Sequence, residues 1–165
     1  MTPETRKDFT EAFIKEAKAH FRLLAYADKA GEEGYPRMEL LFRAVALAEG
    51  VHARRHLERL EEVGSTEENV RHAFEKGDFV NEVDYPRLLR RAWAEEDGAA
   101  IWLLTKARNT EERHARLYKF ALDHMVAERS TVYFVCSNCG WIEDGSRPEA
   151  CPNCEKPSES FVAVK

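Results

Sequence analysis

The cysteines constrain this chain more than any other feature. All four lie between positions 136 and 154, as Cys136-Ser-Asn-Cys139 and Cys151-Pro-Asn-Cys154, and the first 135 residues hold none. A disulfide scaffold spreads its bridges over a fold, whereas two C-x-x-C pairs let four thiolates converge on one tetrahedral ion. Iron and zinc both accept an all-sulfur tetrahedron, so the spacing specifies a metal without naming it. Two disulfides or four free thiols are the competing readings and fit the spacing less well. Around the cysteines the character is β-rich: Ser130-Thr-Val-Tyr-Phe-Val precedes them and Phe161-Val-Ala-Val follows. A segment of this length cannot fold on apolar burial alone, so the ion is its staple. Gly140 supplies the open backbone of the first turn, and Trp141 and Phe161 are expected to cover the metal rather than carry electrons.

Residues 1–129 read differently. Apolar residues recur at helical spacing in Phe9, Phe13, Ala17, Leu24 and Ala27, and again in Leu40, Leu41, Ala44, Val45, Ala48 and Val51. Helix-ending residues collect between such runs at Gly31, Gly34 and Pro36, then Gly64, then Gly98. Thr2-Pro3-Glu4 is a helix start with proline in its first turn, and Ser65-Thr-Glu-Glu68 is a capping box. The pattern predicts four helices, over about 3–31, 36–63, 66–96 and 99–128. Pro86 should bend or break the third. Four long amphipathic helices with short connections predict an all-α four-helix bundle over 1–129, followed by a small β-rich metal knuckle over 130–165.

Two of these helices carry E-x-x-H: Glu49-Gly-Val-His52 and Glu111-Glu-Arg-His114. Three residues apart, a glutamate and a histidine share one helix face and can hold one ion. With 23 Glu and six His in the chain, composition alone would give about one such pair, so the motif needs support. Glu16 precedes Glu49 by 33 residues, and Asp78 precedes Glu111 by the same interval. The order acid, E-x-x-H, acid, E-x-x-H is the ligand plan of a carboxylate-bridged di-metal site inside a bundle. Two adjacent cations held by carboxylates and imidazoles can bind an O–O unit and reduce it by two electrons. Ordinary surface carboxylates are the bland alternative. It is weakened by the placement of Glu16, Glu49 and Glu111 on or beside the apolar stripe, where an unpaired charge is costly. His20, His56, His72 and His124 lack a carboxylate three residues before them and read as surface or supporting groups.

The net charge of −5 and a pI near 5.7 argue against a nucleic-acid binder. No apolar run reaches membrane-spanning length, and the N-terminus leads into no secretory segment. A cytoplasmic protein is expected.

Over nearly its whole length the chain resembles the rubrerythrins: a ferritin-like di-iron bundle followed by a rubredoxin-like knuckle. The motifs that carry the resemblance are Ala12-Phe-Ile-Lys-Glu16-Ala17, Ala48-Glu49-Gly-Val-His52-Ala53, Tyr85-Pro86, Glu111-Glu-Arg-His114 and the C-x-x-C-G…C-P-x-C tail. The resemblance implies a non-haem peroxidase that reduces hydrogen peroxide to water. Electrons would come one at a time through an iron held by Cys136, Cys139, Cys151 and Cys154; a zinc in its place could not relay them. It also implies an electron-donor reductase or rubredoxin as partner, and a homodimer, in some members domain-swapped. Position by position, Glu16, Glu49, His52, Glu111 and His114 match the family's ligands, with Glu49 and Glu111 bridging. Glu16, Glu49, Glu111 and the donor Tyr85 are expected to take part in the reaction. The third helix departs from the family, which has two glutamates three apart shortly before Tyr-Pro. A one-residue gap aligns them with Asp78 and Asn81 and favours Asp78 as ligand, with Glu82 and Glu75 as rivals. A family tyrosine on the first helix is Leu23 here. Two further readings stay open: a ferritin-like ferroxidase or iron-handling protein, and a non-enzymatic protein whose tail is a zinc ribbon that binds a partner.

Overall fold

The computed structural model describes residues 1–124 and 131–164, in two compact units, Met1–Gly64 and Ser65–Lys165. The expected junction at 129–130 lies outside the described residues.

The first unit is an antiparallel pair of helices, α1 (Pro3–Glu32) and α2 (Pro36–Leu60). The Thr2 hydroxyl caps α1 by accepting from the Thr5 N–H at 3.2 Å, and Pro3 occupies the first turn, where its missing N–H costs nothing. The reversal falls on Gly34, at φ +78°, a conformation that a side chain would strain. Alanines line the seam: Ala27, Ala30, Ala46 and Ala53 are all buried. Small residues at these positions let the two helices approach closely. At the open end, Arg6 donates from Nη1 to the Leu60 carbonyl at 2.9 Å and satisfies one of the orphan carbonyls that end α2. Leu60 beneath it is almost fully buried.

The second unit begins with the capping box. Ser65 N–H donates to Glu68 Oε2 at 2.7 Å, and Glu68 N–H donates back to Ser65 Oγ at 3.3 Å. Helix α3 (Thr66–Phe79) leads into a π-helical turn, Val80–Asp84, and then α4 (Tyr85–Ala94). The expectation of a disturbance at Pro86 holds, and its form is specific. A proline ring clashes with the carbonyl four residues back in an ordinary helix. Here the turn widens, and the Tyr85 N–H bonds the Val80 carbonyl five residues back.

Helix α5 (Gly98–Asp123) is capped by Asp97, whose Oδ1 accepts from the Ala100 N–H at 3.0 Å. It packs against α3 and α4. The knuckle is a three-stranded antiparallel sheet of β1 (Tyr133–Cys136), β2 (Ile142–Asp144) and β3 (Phe161–Val164), in the order β2-β1-β3. Tyr133 pairs with Asp144 on one side, and Cys136 with Phe161 on the other. Phe161 is buried against Cys136 and Cys151, with Phe134 and Trp141 packed beside them. Both aromatics thus cover the cysteines, as their positions suggested.

Candidate metal centres

The knuckle brings its four sulfurs within 4.8 Å of one another. Cys136 Sγ lies 3.7 Å from Cys154 Sγ, and Cys139 Sγ lies 3.6 Å from Cys151 Sγ. A tetrahedral ion with metal–sulfur bonds near 2.3 Å gives sulfur–sulfur edges of about 3.8 Å, so the cage already has the size of a loaded one. Each C-x-x-C loop closes the same way. Gly140 N–H bonds Cys136 O at 2.8 Å, and Glu155 N–H bonds Cys151 O at 2.9 Å. Both closing residues have positive φ, +79° for Gly140 and +61° for Glu155. Backbone N–H groups then reach the sulfurs: Trp141 to Cys139, Asn153 and Cys154 to Cys151, and Lys156 to Cys154. The surroundings of the thiols are unequal. Burial pushes Cys139 up to about 12. Burial opposes ionisation at Cys154 too, but the Lys156 N–H, the Asn138 side chain and neighbouring sulfurs outweigh it and bring that thiol down to about 7. Thiolates stabilised by N–H donors in a fixed tetrahedron are the donor set of iron or zinc.

In the first unit Glu16 from α1 and Glu49 and His52 from α2 also converge within 4.8 Å. His52 Nδ1 lies 3.8 Å from Glu16 Oε2. Hydrogen bonding to Glu16, then burial and the Glu16 charge, raise the Glu49 carboxyl above its ordinary range, while His52 acts to lower it. Two carboxylates so close share a proton unless a cation takes its place, so the geometry suits a metal. The approach of the two helices here depends on Gly50. A Cβ at that position would stand 3.0 Å from Nδ1 of His20, which donates to the Ala46 carbonyl at 2.7 Å. His20 is therefore a packing residue of the seam, and His56 likewise stacks edge-on against Phe9.

In the second unit Glu111 and His114 pair on α5, with Oε2 and Nδ1 3.7 Å apart. Tyr85 stands beside them, its hydroxyl pushed up by burial first and by the Glu111 charge second. Among the described residues no third acid completes a group of three with this pair. Asp78, Glu82 and Glu75 are all exposed. Asn81 is half-buried, and its Oδ1 accepts from Arg108 Nε at 3.2 Å.

The same face of α5 holds the knuckle, an arrangement no sequence signal announced. Thr110 Oγ1 donates to the Cys139 carbonyl at 3.0 Å, and His114 Nε2 donates to the Gly140 carbonyl at 3.2 Å. Arg113 Nε bonds the Ile142 carbonyl at 2.9 Å, and its Nη2 meets Glu143 at 3.2 Å. Asn153 is buried, donating from Nδ2 to the Lys106 carbonyl at 2.9 Å and to Thr110 Oγ1 at 3.1 Å. Its Oδ1 accepts from Asn109 at 3.1 Å.

Carboxylate–histidine ligands on paired helices, together with a tetrathiolate knuckle, define a helical non-haem metalloprotein with two kinds of metal centre. The rubrerythrin family model matches residues 9–122, and the chain belongs to the rubrerythrin family. It is 31% identical to a rubrerythrin of Porphyromonas gingivalis, covering 98% of this chain and 90% of that protein. It is 28% identical to a nigerythrin of Nitratidesulfovibrio vulgaris, over 96% of this chain and 86% of the relative. Among solved structures, nigerythrin in its mixed-valence state matches with a TM-score of 0.59 at 27% identity, over 99% of this chain and 88% of that one. The fully reduced, all-ferrous nigerythrin gives a TM-score of 0.60. The ferritin-like and rubredoxin-like fold classes are thereby borne out. The family carries a di-iron site, and the Glu/His group and the four cysteines fit iron. This is a di-iron protein of oxidoreductase type. No helix among the described residues is long and apolar enough to cross a membrane.

Proposed function

We propose that the protein reduces hydrogen peroxide to water in defence against oxidative stress, with electrons relayed through the cysteine centre. The observation that carries this reading is the 3.2 Å bond from His114 Nε2 to the Gly140 carbonyl, one residue beyond Cys139. It joins the knuckle to an imidazole expected to bind bundle iron, so an electron has a short bonded path between the two centres. Each peroxide takes two electrons and two protons and yields two waters. When bound, the di-iron pair supplies the two electrons at once, and the knuckle replaces them singly. The chain's own groups supply the rest. Glu16, Glu49 and His52 would hold one side of that pair, with a cation taking the place of the proton that the Glu49 carboxyl otherwise holds more readily than usual. Tyr85, kept in its phenol form beside Glu111, can donate a hydrogen bond. The electron donor would be a separate reductase or rubredoxin.

Stopped-flow mixing of the fully reduced protein with peroxide and, separately, with dioxygen tests this. Peroxide is expected to oxidise it faster. An equal or slower reaction with peroxide favours the second reading, an iron-oxidising or iron-handling role. Asn81 supports that alternative. It stands where the family resemblance leads one to expect a carboxylate, and Arg108 holds it in place.

A further inference from the structure

Lys106 lies on α5, one turn before Thr110 and two before His114. Its ammonium sits over the Trp102 ring, 5.9 Å from the centroid, and donates to the backbone carbonyl of Asn153. That carbonyl is held for it. Asn153 is anchored through its side chain to Asn109, Thr110 and the Lys106 carbonyl, so the loop cannot turn away. The Asn153 carbonyl belongs to the same planar peptide as the Cys154 N–H, and in a trans peptide the two point in opposite directions. The Cys154 N–H points at Cys151 Sγ. An ammonium on the oxygen withdraws electron density through the amide and makes the N–H a stronger donor to sulfur. Cys151 and Cys136 are each only 1% exposed, so solvent screens this chain of dipoles weakly.

We propose that Lys106 is a potential-setting residue of the cysteine centre, acting on Cys151 through the Asn153–Cys154 peptide. Reduction adds one electron and no proton, so the iron and its four thiolates go from one negative charge to two. A fixed cation and a strengthened N–H bond both favour the more negative state. Lys106 therefore raises the reduction potential. It tunes the centre from the helix that also carries Glu111 and His114, and no ligand or peroxide needs to be present. The inference rests on an iron-loaded knuckle and not on peroxide turnover, so it survives or fails independently of the reading above.

The test is the midpoint potential of the knuckle iron, followed by its visible absorption in the intact, iron-loaded protein. Lys106→Met and Lys106→Gln are each expected to shift the equilibrium toward the oxidised form about tenfold, or roughly 59 mV for one electron. Lys106→Arg keeps the charge and should stay near the parent. Asn109→Ala, which loosens the Asn153 anchor and leaves the cation, should shift it far less than Lys106→Met. In the zinc-loaded protein the Cys154 amide proton should move upfield in Lys106→Met, a readout available even if that variant loads iron poorly. An unchanged potential in both neutral variants overturns the inference. So does a fall in Lys106→Arg as large as in Lys106→Met, or a Cys154 amide proton that does not move.

Discussion

His114 presents Nε2 to the Gly140 carbonyl at 3.2 Å and Nδ1 to Glu111 at 3.7 Å, so its two ring nitrogens face two different centres. The carbonyl can only accept, which puts the proton on Nε2 and leaves Nδ1 free for a cation beside Glu111. The knuckle thus selects the tautomer that a cation held by Glu111 and His114 would require.

If the bundle and the knuckle hold separate metals, Glu49→Ala should remove bundle iron and leave the knuckle's visible spectrum at full intensity. Losing one member of the Glu16–Glu49–His52 group removes a ligand without touching the sulfur cage. Iron analysis together with the spectrum reads both sites. A parallel loss of both signals would show that the two are not independent.

Asn153→Ala should destabilise the knuckle's seat on α5. The substitution removes three hydrogen bonds, to the Lys106 carbonyl, to Thr110 Oγ1 and from Asn109. A typical bond contributes about 0.5–1.5 kcal/mol, so a loss of about 1–3 kcal/mol is expected in denaturant titrations that follow the metal chromophore. An unshifted midpoint would mean that water replaces the amide without loss.

The two loop-closing residues should respond in opposite directions. Glu155 adopts φ +61° with a side chain that this conformation strains, so Glu155→Gly should stabilise the knuckle by about 1 kcal/mol. Gly140→Ala should destabilise it by about 1–2 kcal/mol. A Cβ there would meet only Thr110 Cγ2, at an ordinary 3.5 Å, so the cost is conformational and not steric. Thermal release of zinc from the loaded protein measures both, and a shift of the same sign in the two variants would contradict the argument.

Gly50 and His20 should be coupled. Alanine is favoured over glycine inside a helix by about 1 kcal/mol. With His20 fixed on Ala46, the new Cβ stands 3.0 Å from its ring, and the gain should vanish or reverse. In a His20→Ala background Gly50→Ala should recover it. Far-ultraviolet dichroism of the four proteins in urea gives the cycle, and additive effects would exclude the contact.

The capping box sets a pH dependence. The Ser65 N–H and then its hydroxyl hold the Glu68 carboxyl below its ordinary range. A depressed folded pKa means that the contribution is complete above the unfolded value and fades as pH falls through the folded one. Glu68→Gln should therefore lower Tm at pH 7, and the difference should close as pH falls below the usual carboxylate range of about 4. A difference that persists unchanged at low pH would place the effect in helix propensity instead.

Local chemistry was the legible part of this chain. Thr2, Ser65 and Pro86 each act on backbone within one turn, so their marks could be read without the fold. The cysteine cage was legible because loop closure in C-x-x-C is itself local. Glu16, Glu49 and His52 could be paired because an antiparallel helix pair brings fixed intervals together. The third helix resisted for a definite reason. A π-helical turn lies between Asp78 and Tyr85, so regular helical counting back from Tyr85 does not tell which face each acid takes. The α5 surface for the knuckle was illegible, since Lys106, Asn109, Thr110 and Asn153 are ordinary polar residues whose partners across the joint lie 29 to 47 positions away.

That surface has a consequence of its own. The groups that α5 offers the knuckle are an ammonium, an amide, a hydroxyl, a guanidinium and an imidazole, and most of them meet backbone carbonyls. Hydrogen bonds are directional, so five side chains on one helix face fix how the knuckle is turned as well as where it sits. The joint behaves like a key in its lock rather than a coat of glue.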